Sequence, residues 1–127
     1  MKPGTLEHVN ITVSDNKKVA DLLSTLFDWH IRWQGSAIDD GHTIHVGAQD
    51  SYLAVYTKGA ASESDITSYN QKGGLNHVGV VVDDLDTVEE RVLNAGFKTY
   101  SHGDYEPGKR FYFDGPDDIE FEVISYS

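Results

Sequence analysis

Leu6-Glu7-His8-Val9-Asn10-Ile11-Thr12-Val13 near the start of the chain and Leu75-Asn76-His77-Val78-Gly79-Val80-Val81-Val82 in its second half are two versions of one pattern. Each runs on through an acidic turn into a helix with an apolar stripe. From His8 to His77 is 69 positions, and the same offset carries Leu6 onto Leu75, Val9 onto Val78, Val13 onto Val82, Asp15 onto Asp84 and Val19 onto Val88. Six coincidences in one register are an internal duplication, and a repeat this long in 127 residues means two similar modules. Packing alone gives a histidine no reason to recur at one repeat position. A symmetric site does.

Side chains alternate along a strand, so Val9, Ile11 and Val13 make one apolar face while His8, Asn10 and Thr12 share the other. In the second copy Val78, Val80 and Val82 repeat the apolar face, and His77, Gly79 and Val81 oppose it. Near the end of the chain Phe121 and Val123 face one way and Glu120, Glu122 and Ile124 the other. If the apolar faces pack under helices, the remaining faces gather His8, His77 and either Glu120 or Glu122. Two imidazoles and a carboxylate suit a divalent first-row metal with positions left open for substrate.

The rest of the chain fits an α+β reading. Strands are expected near 6–13, 30–35, 42–47, 51–57, 75–83, 97–101, 109–114 and 119–125. Ser14 or Asp15 caps a first helix whose Val19, Leu22, Leu23, Leu26 and Phe27 recur at helical spacing. Asp86-Thr87-Val88-Glu89 has the form of a capping box for a second helix, which Gly96 ends. Module one spans 5–57 and module two 75–126 of a single domain covering 1–127. The Gly-, Ala- and Ser-rich stretch 58–74 links them and is a candidate lid, and Asp39-Asp40-Gly41 is a turn.

Composition narrows the function. The formal net charge of −11, from 21 acidic and 10 basic side chains, repels nucleic acid and anionic membranes, so a small-molecule substrate is the expected partner. No stretch reaches the roughly 20 apolar residues of a membrane span, and Met1-Lys2-Pro3-Gly4 is not the start of a signal peptide. A chain without cysteine has no disulfides, thiolate nucleophiles or cysteine-type zinc sites. A cytoplasmic location is expected.

These features together resemble the vicinal oxygen chelate superfamily, which includes glyoxalases, extradiol dioxygenases, methylmalonyl-CoA epimerases and fosfomycin and bleomycin resistance proteins. The resemblance is carried by the two strand starts, by Ala95-Gly96-Phe97, and by Phe111-Tyr112-Phe113-Asp114-Gly115-Pro116-Asp117-Asp118-Ile119-Glu120-Phe121-Glu122-Val123. It implies two βαβββ modules curling around a metal-binding cleft, often as a homodimer. Counting six residues on from Pro116 makes Glu122 the ligand, with His8 and His77. Fe²⁺ is the favoured ion, with Zn²⁺, Mn²⁺ or Ni²⁺ as alternatives.

Glyoxalase I and the epimerases take a fourth ligand from the last strand of the first module, but Ser51–Thr57 offers no carboxylate or amide. A three-ligand set is closer to the non-haem iron oxygenases. The order His102, Phe111, Tyr112, Pro116, Glu122 is similar to extradiol dioxygenases, with His102 as a general acid or base and Tyr112 bonded to a substrate oxygen; the His102 to Phe111 gap is one residue too long. Asn10, Tyr52, Tyr56 and Arg110 are candidate substrate contacts, and His42 and His45, on opposite faces of one strand, cannot both face the cleft. The alternatives are a glyoxalase-like lyase or isomerase, and a metal-free binding protein like the bleomycin resistance proteins.

Overall fold

The computed structural model describes residues 6–37, 40–59, 75–105 and 108–127. Most of the expected linker, residues 60–74, the first residue of the expected turn at Asp39 and the start of the chain lie outside the described residues. The chain divides into two compact units, Met1–Ser62 and Glu63–Ser127. In the first, β1 (His8–Thr12) leads into α1 (Asn16–Phe27), then β2 (His30–Ala37), β3 (Gly41–Gly47) and β4 (Tyr52–Thr57). The second repeats the order with β5 (Val78–Val81), α2 (Leu85–Asn94), β6 (Thr99–Tyr105), β7 (Gly108–Asp114) and β8 (Glu120–Ser125).

Both sheets have the same mixed topology, β1-β4-β3-β2 and β5-β8-β7-β6. The outer strands β1 and β5 pair in parallel with β4 and β8, and the other pairs are antiparallel. This is the βαβββ arrangement twice over, the α+β fold implied by the duplicated sequence.

The repeat register also fixes the helix starts. Asp15 accepts a hydrogen bond from the Lys18 amide, and its equivalent Asp84 accepts from both the amide and the hydroxyl of Thr87. The second helix is therefore capped by Asp84 and not through the Asp86 box, because an N-cap carboxylate reaches the amide three residues on. Hydrogen bonds from Thr87 hold the Asp84 carboxyl below its usual range. Gly96, at φ +95°, ends α2 as expected. Its amide bonds to the Leu93 carbonyl and that of Phe97 to Val92, a Schellman closure that needs the left-handed conformation glycine adopts without strain.

Each unit has its own apolar layer. Val19, Leu23 and Leu26 of α1 are buried, as are Ile44, Val46 and Val55 of the strands it packs on. In the second unit Val88 and Val92 of α2 cover Phe111, Phe113, Phe121 and Val123, with Phe113 and Phe121 stacked at 5.1 Å. Strand alternation then turns His8, Asn10, His77, Glu120 and Glu122 away from the helices.

That alternation is interrupted once in each module, at equivalent repeat positions. The β2–β3 register shifts between Ile31 and Trp33, and the β6–β7 register shifts between Tyr100 and Gly103. Ile31 and Tyr100 are themselves 69 positions apart. A bulge sets two residues against one on the neighbouring strand, so every side chain beyond it changes face relative to strict alternation.

Candidate functional site

The face of the second sheet opposite α2 is built from β5, β7 and β8. Glu122 stands beside Gly79 and opposite Tyr112 in the strand register. The Tyr112 hydroxyl donates a short hydrogen bond to Glu122 Oε2, and Arg110 Nη1 donates to the same oxygen at 3.2 Å. A Cβ on Gly79 would meet only Glu122 Oε1, at 3.9 Å, so the glycine leaves the second carboxylate oxygen uncrowded. His77 lies edge-on to the Tyr112 ring, with centroids 5.9 Å apart. Its Nδ1 is 3.6 Å from Glu120 Oε1, and Tyr100 donates to Glu120 Oε2 at 2.6 Å. Burial first, and then these carboxylate neighbours, push the Tyr100 hydroxyl far above its usual range.

The matching face of the first sheet carries His8. Its Nδ1 is 2.9 Å from Glu7 Oε1, and the Tyr52 hydroxyl donates to the same oxygen at 3.2 Å. Hydrogen bonds from His8 and then Tyr52 hold the Glu7 carboxyl below its usual range. Tyr52 stacks on His8 at 4.8 Å and on His45 at 4.5 Å. Strict alternation along β3 puts His45 on this face and His42 on the other, where Asn16 Nδ2 lies 3.2 Å from His42 Nδ1 and also bonds to its carbonyl. Burial, and then the positive charges of His8 and Arg32, lower the His45 pKa. Asn10 is exposed on the same face. Tyr56 is on it too, but its ring covers Gly41, where any Cβ would collide with it.

Register compares what the two modules offer at one position. Asn10 pairs with Ala54 and its repeat equivalent Gly79 pairs with Glu122, so the first module places a methyl group where the second places a carboxylate. By the same count Tyr52 corresponds to Glu120.

One of the residues singled out in the sequence stands elsewhere. His102 is not brought to the Tyr112 and Glu122 face. The bulge after Tyr100, with Ser101 at φ 51°, turns His102 to the helix side, where Nε2 is 2.5 Å from Glu89 Oε2 of α2 and the ring stacks on Phe111. Strict alternation would have put it beside Tyr100. Arg110 does reach the site face, but Glu122 engages it as an ion pair whose side chains are 11% and 16% exposed. Lys109, its neighbour, points to Asp104 at 4.0 Å.

Glu89 has a consequence for stability. Burial raises its carboxyl, but hydrogen bonds from Thr99 and His102 and the imidazole charge outweigh this and hold the pKa below the ordinary 4.5. A carboxyl with a depressed folded-state pKa stabilises above its unfolded value, and the gain is lost as pH falls through the folded one. Glu89→Gln is therefore expected to lower the melting temperature at pH 7 and to lower it less at pH 3. An equal loss at both values would overturn this assignment.

Among the described residues no three His, Cys, Asp or Glu side chains already form a metal-binding group, so the fit of an ion rests on donor chemistry. That chemistry is favourable. A neutral imidazole held at Nδ1 by a carboxylate carries its lone pair on Nε2, the arrangement that outer-shell carboxylates impose on metal-binding histidines. His8 has such a carboxylate in Glu7, 2.9 Å from Nδ1, and His77 has Glu120 at an ion-pair distance of 3.6 Å from Nδ1.

A family model described as the glyoxalase/bleomycin resistance protein/dioxygenase superfamily matches residues 7–113. No curated protein matches the chain by sequence. Among solved structures, a glyoxylase/bleomycin resistance protein/dioxygenase domain from Frankia sp. EAN1pec aligns with TM-score 0.81 at 20% identity, covering 98% of both chains. The fosfomycin resistance protein FosX from Listeria monocytogenes, complexed with Mn(II) and sulfate, aligns with TM-score 0.73 at 15% identity, covering 100% of this chain and 95% of its own. TnmS3, an antibiotic binding protein from Streptomyces sp. CB03234, aligns with TM-score 0.74 at 17% identity, covering 100% and 99%. At these identities the likeness is one of fold.

Proposed function

Because this chain belongs to the glyoxalase/bleomycin resistance protein/dioxygenase superfamily, we propose that it is a divalent-metal-dependent enzyme whose ligands are His8, His77 and Glu122. The observation that carries this reading is the carboxylate at Nδ1 of both repeat-equivalent histidines, Glu7 at 2.9 Å and Glu120 at 3.6 Å. A histidine that serves packing alone needs no such partner, and here two different carboxylates stand beside the two Nδ1 atoms. FosX, solved with Mn(II) on the same fold, supports a divalent ion. Ala54 at the position equivalent to Glu122 supports a set of three protein ligands over a four-ligand glyoxalase site.

When bound, the ion would supply Lewis acidity to a small substrate that chelates through adjacent oxygens. Tyr112 holds Glu122 by donating its hydroxyl hydrogen, and its oxygen can accept a hydrogen bond from a substrate hydroxyl close by. Arg110 balances the Glu122 charge in a largely buried setting. The position of His102 removes one of the two residues behind a dioxygenase-like reaction and leaves Tyr112 as its support. We therefore place oxygen chemistry on a catechol ahead of a glyoxalase-like isomerisation on the ligand count.

The test begins with metal analysis of untagged protein. About one first-row ion per ligand set is expected, lost in His8→Ala and in His77→Ala. Fe²⁺-loaded protein should then take up oxygen with a catechol, and Tyr112→Phe should keep its metal while turning over more slowly. Isomerisation of a glutathione hemithioacetal without oxygen uptake would make the protein a lyase. A second reading, a metal-free binding protein of the TnmS3 kind, is favoured by the Arg110–Glu122 pair, which neutralises the carboxylate without an ion. Protein that binds no metal and turns over neither substrate would establish it.

We further propose a homodimer. The edge strands β1 and β5 expose Val9 and Val81, at 36% and 63%. Light scattering at micromolar concentration should give twice the chain mass of 14.1 kDa. A monomer would refute it.

A further inference from the structure

The bulge in β2 does something strict alternation forbids: it puts two consecutive side chains, Arg32 and Trp33, on the face that carries His8. His30 and Ile31 alternate normally against Gly47 and Val46, and after the shift Trp33 stands opposite His45. The Trp33 ring lies 5.1 Å from that of His45, while the Arg32 guanidinium lies 4.5 Å over the Tyr52 ring. The result is a continuous surface of rings from His8 through Tyr52 and His45 to Trp33, with one fixed cation above it.

Two features of this surface point to a ligand. Trp33 is 52% exposed, and an indole of that exposure beside a cation is a common recognition element. Arg32 has its contact with the Tyr52 ring and, among the described residues, no hydrogen bond or ion pair. The nearby carboxylate, Glu7, is engaged by His8 and Tyr52. A guanidinium lying over a ring makes no hydrogen bond to it, so its N–H groups can meet a carboxylate in two parallel hydrogen bonds.

We propose that Arg32, Trp33, His45 and Tyr52 form the seat of an aromatic carboxylate, with Arg32 taking the oxyanion and Trp33 and His45 the planar body. This names the substrate class of the enzyme proposed above and rests on that reading for the claim that the bound molecule reacts. It explains why a chain with 21 acidic and 10 basic side chains sets an arginine and two histidines on one sheet face. A plain oxyanion site would not need the rings, and a plain aromatic site would not need the guanidinium.

The experiment uses benzoate as the probe and the full chain in EDTA, so that binding is read apart from metal content. The chain has two tryptophans, and their indole N–H signals in a nitrogen-15 correlation spectrum are assigned with Trp33→Phe. Benzoate should shift the Trp33 signal and leave that of Trp29, which packs against Phe27 at 5.3 Å. Benzyl alcohol, which lacks the charge, and acetate, which lacks the ring, should each bind at least tenfold more weakly. Arg32→Gln should weaken benzoate at least tenfold with the amide spectrum otherwise intact, and Arg32→Lys should recover part of the loss. Binding of benzoate by Arg32→Gln as tight as by the original protein, or no Trp33 shift at all, would overturn the proposal whatever the metal analysis gives. Arg32-dependent binding in a protein that never takes up metal would sustain the seat and remove the enzyme.

Discussion

Glu122→Gln is expected to empty the proposed metal site and to abolish turnover. Losing an outer-shell partner costs about 10–100-fold in metal affinity or activity, and removing a charged ligand should exceed that. The substitution keeps the side chain's size and its oxygen but deletes the charge that Tyr112 and Arg110 address. It also removes the carboxylate charge that Arg110, whose side chain is 11% exposed, pairs with at 3.2 Å, so some loss of stability should accompany the loss of metal. The two effects separate by measurement, since metal content is read by elemental analysis and folding by denaturation. Glu120→Gln is the informative contrast. Its carboxylate faces Tyr100 and His77, so metal affinity should weaken within the outer-shell range rather than vanish. Wild-type metal content in Glu122→Gln, with loss in Glu120→Gln, would exchange their roles.

The largest loss of stability is expected at Phe113. Its side chain is fully buried and touches three other rings, with centroids at 5.1 Å to Phe121, 6.1 Å to Phe97 and 6.5 Å to Phe111. Phe113→Ala should cost about 3–5 kcal/mol, the lost transfer energy plus a cavity that the neighbouring rings cannot close. Urea denaturation followed by circular dichroism reads it directly. A change below about 1 kcal/mol would mean that the sheet collapses onto α2 far more freely than close packing allows.

Most of the architecture was legible because it depends on periodicity. Val9-Asn10-Ile11 and Phe121-Glu122-Val123 alternate cleanly, and α1 repeats at helical spacing, so faces and partners follow from spacing alone. The facing of side chains was legible where strands are regular, which is why His77, Tyr112 and Glu122 come to one face of their sheet. That reading failed at the bulges. Counting by twos puts His102 beside Tyr100 and puts Arg32 and Trp33 on opposite faces, and both results are wrong by one residue. The cause in the second module is a backbone conformation at Ser101 that this residue type does not announce. The Asp86 box misled for a related reason. It is a plausible cap, but the helix already starts at Leu85 behind Asp84, which leaves Asp86 inside the first turn, and only the repeat offset from Asp15 reveals the earlier start.

The paired bulges also bear on how such a fold acquires new chemistry. Trp33 and His102 are repeat equivalents, yet one is delivered to the site face and the other to the helix side by irregularities a residue apart. Both bulges lie in the outermost strands of their sheets, away from the parallel pairs that hold the proposed ligands. Gain or loss of a single codon there would exchange which residues line the reacting surface while leaving the buried phenylalanines and both helices in register. The duplicated halves can thus diverge in substrate without renegotiating their stability, and the first module, having no carboxylate at Ala54, is the half free to do so.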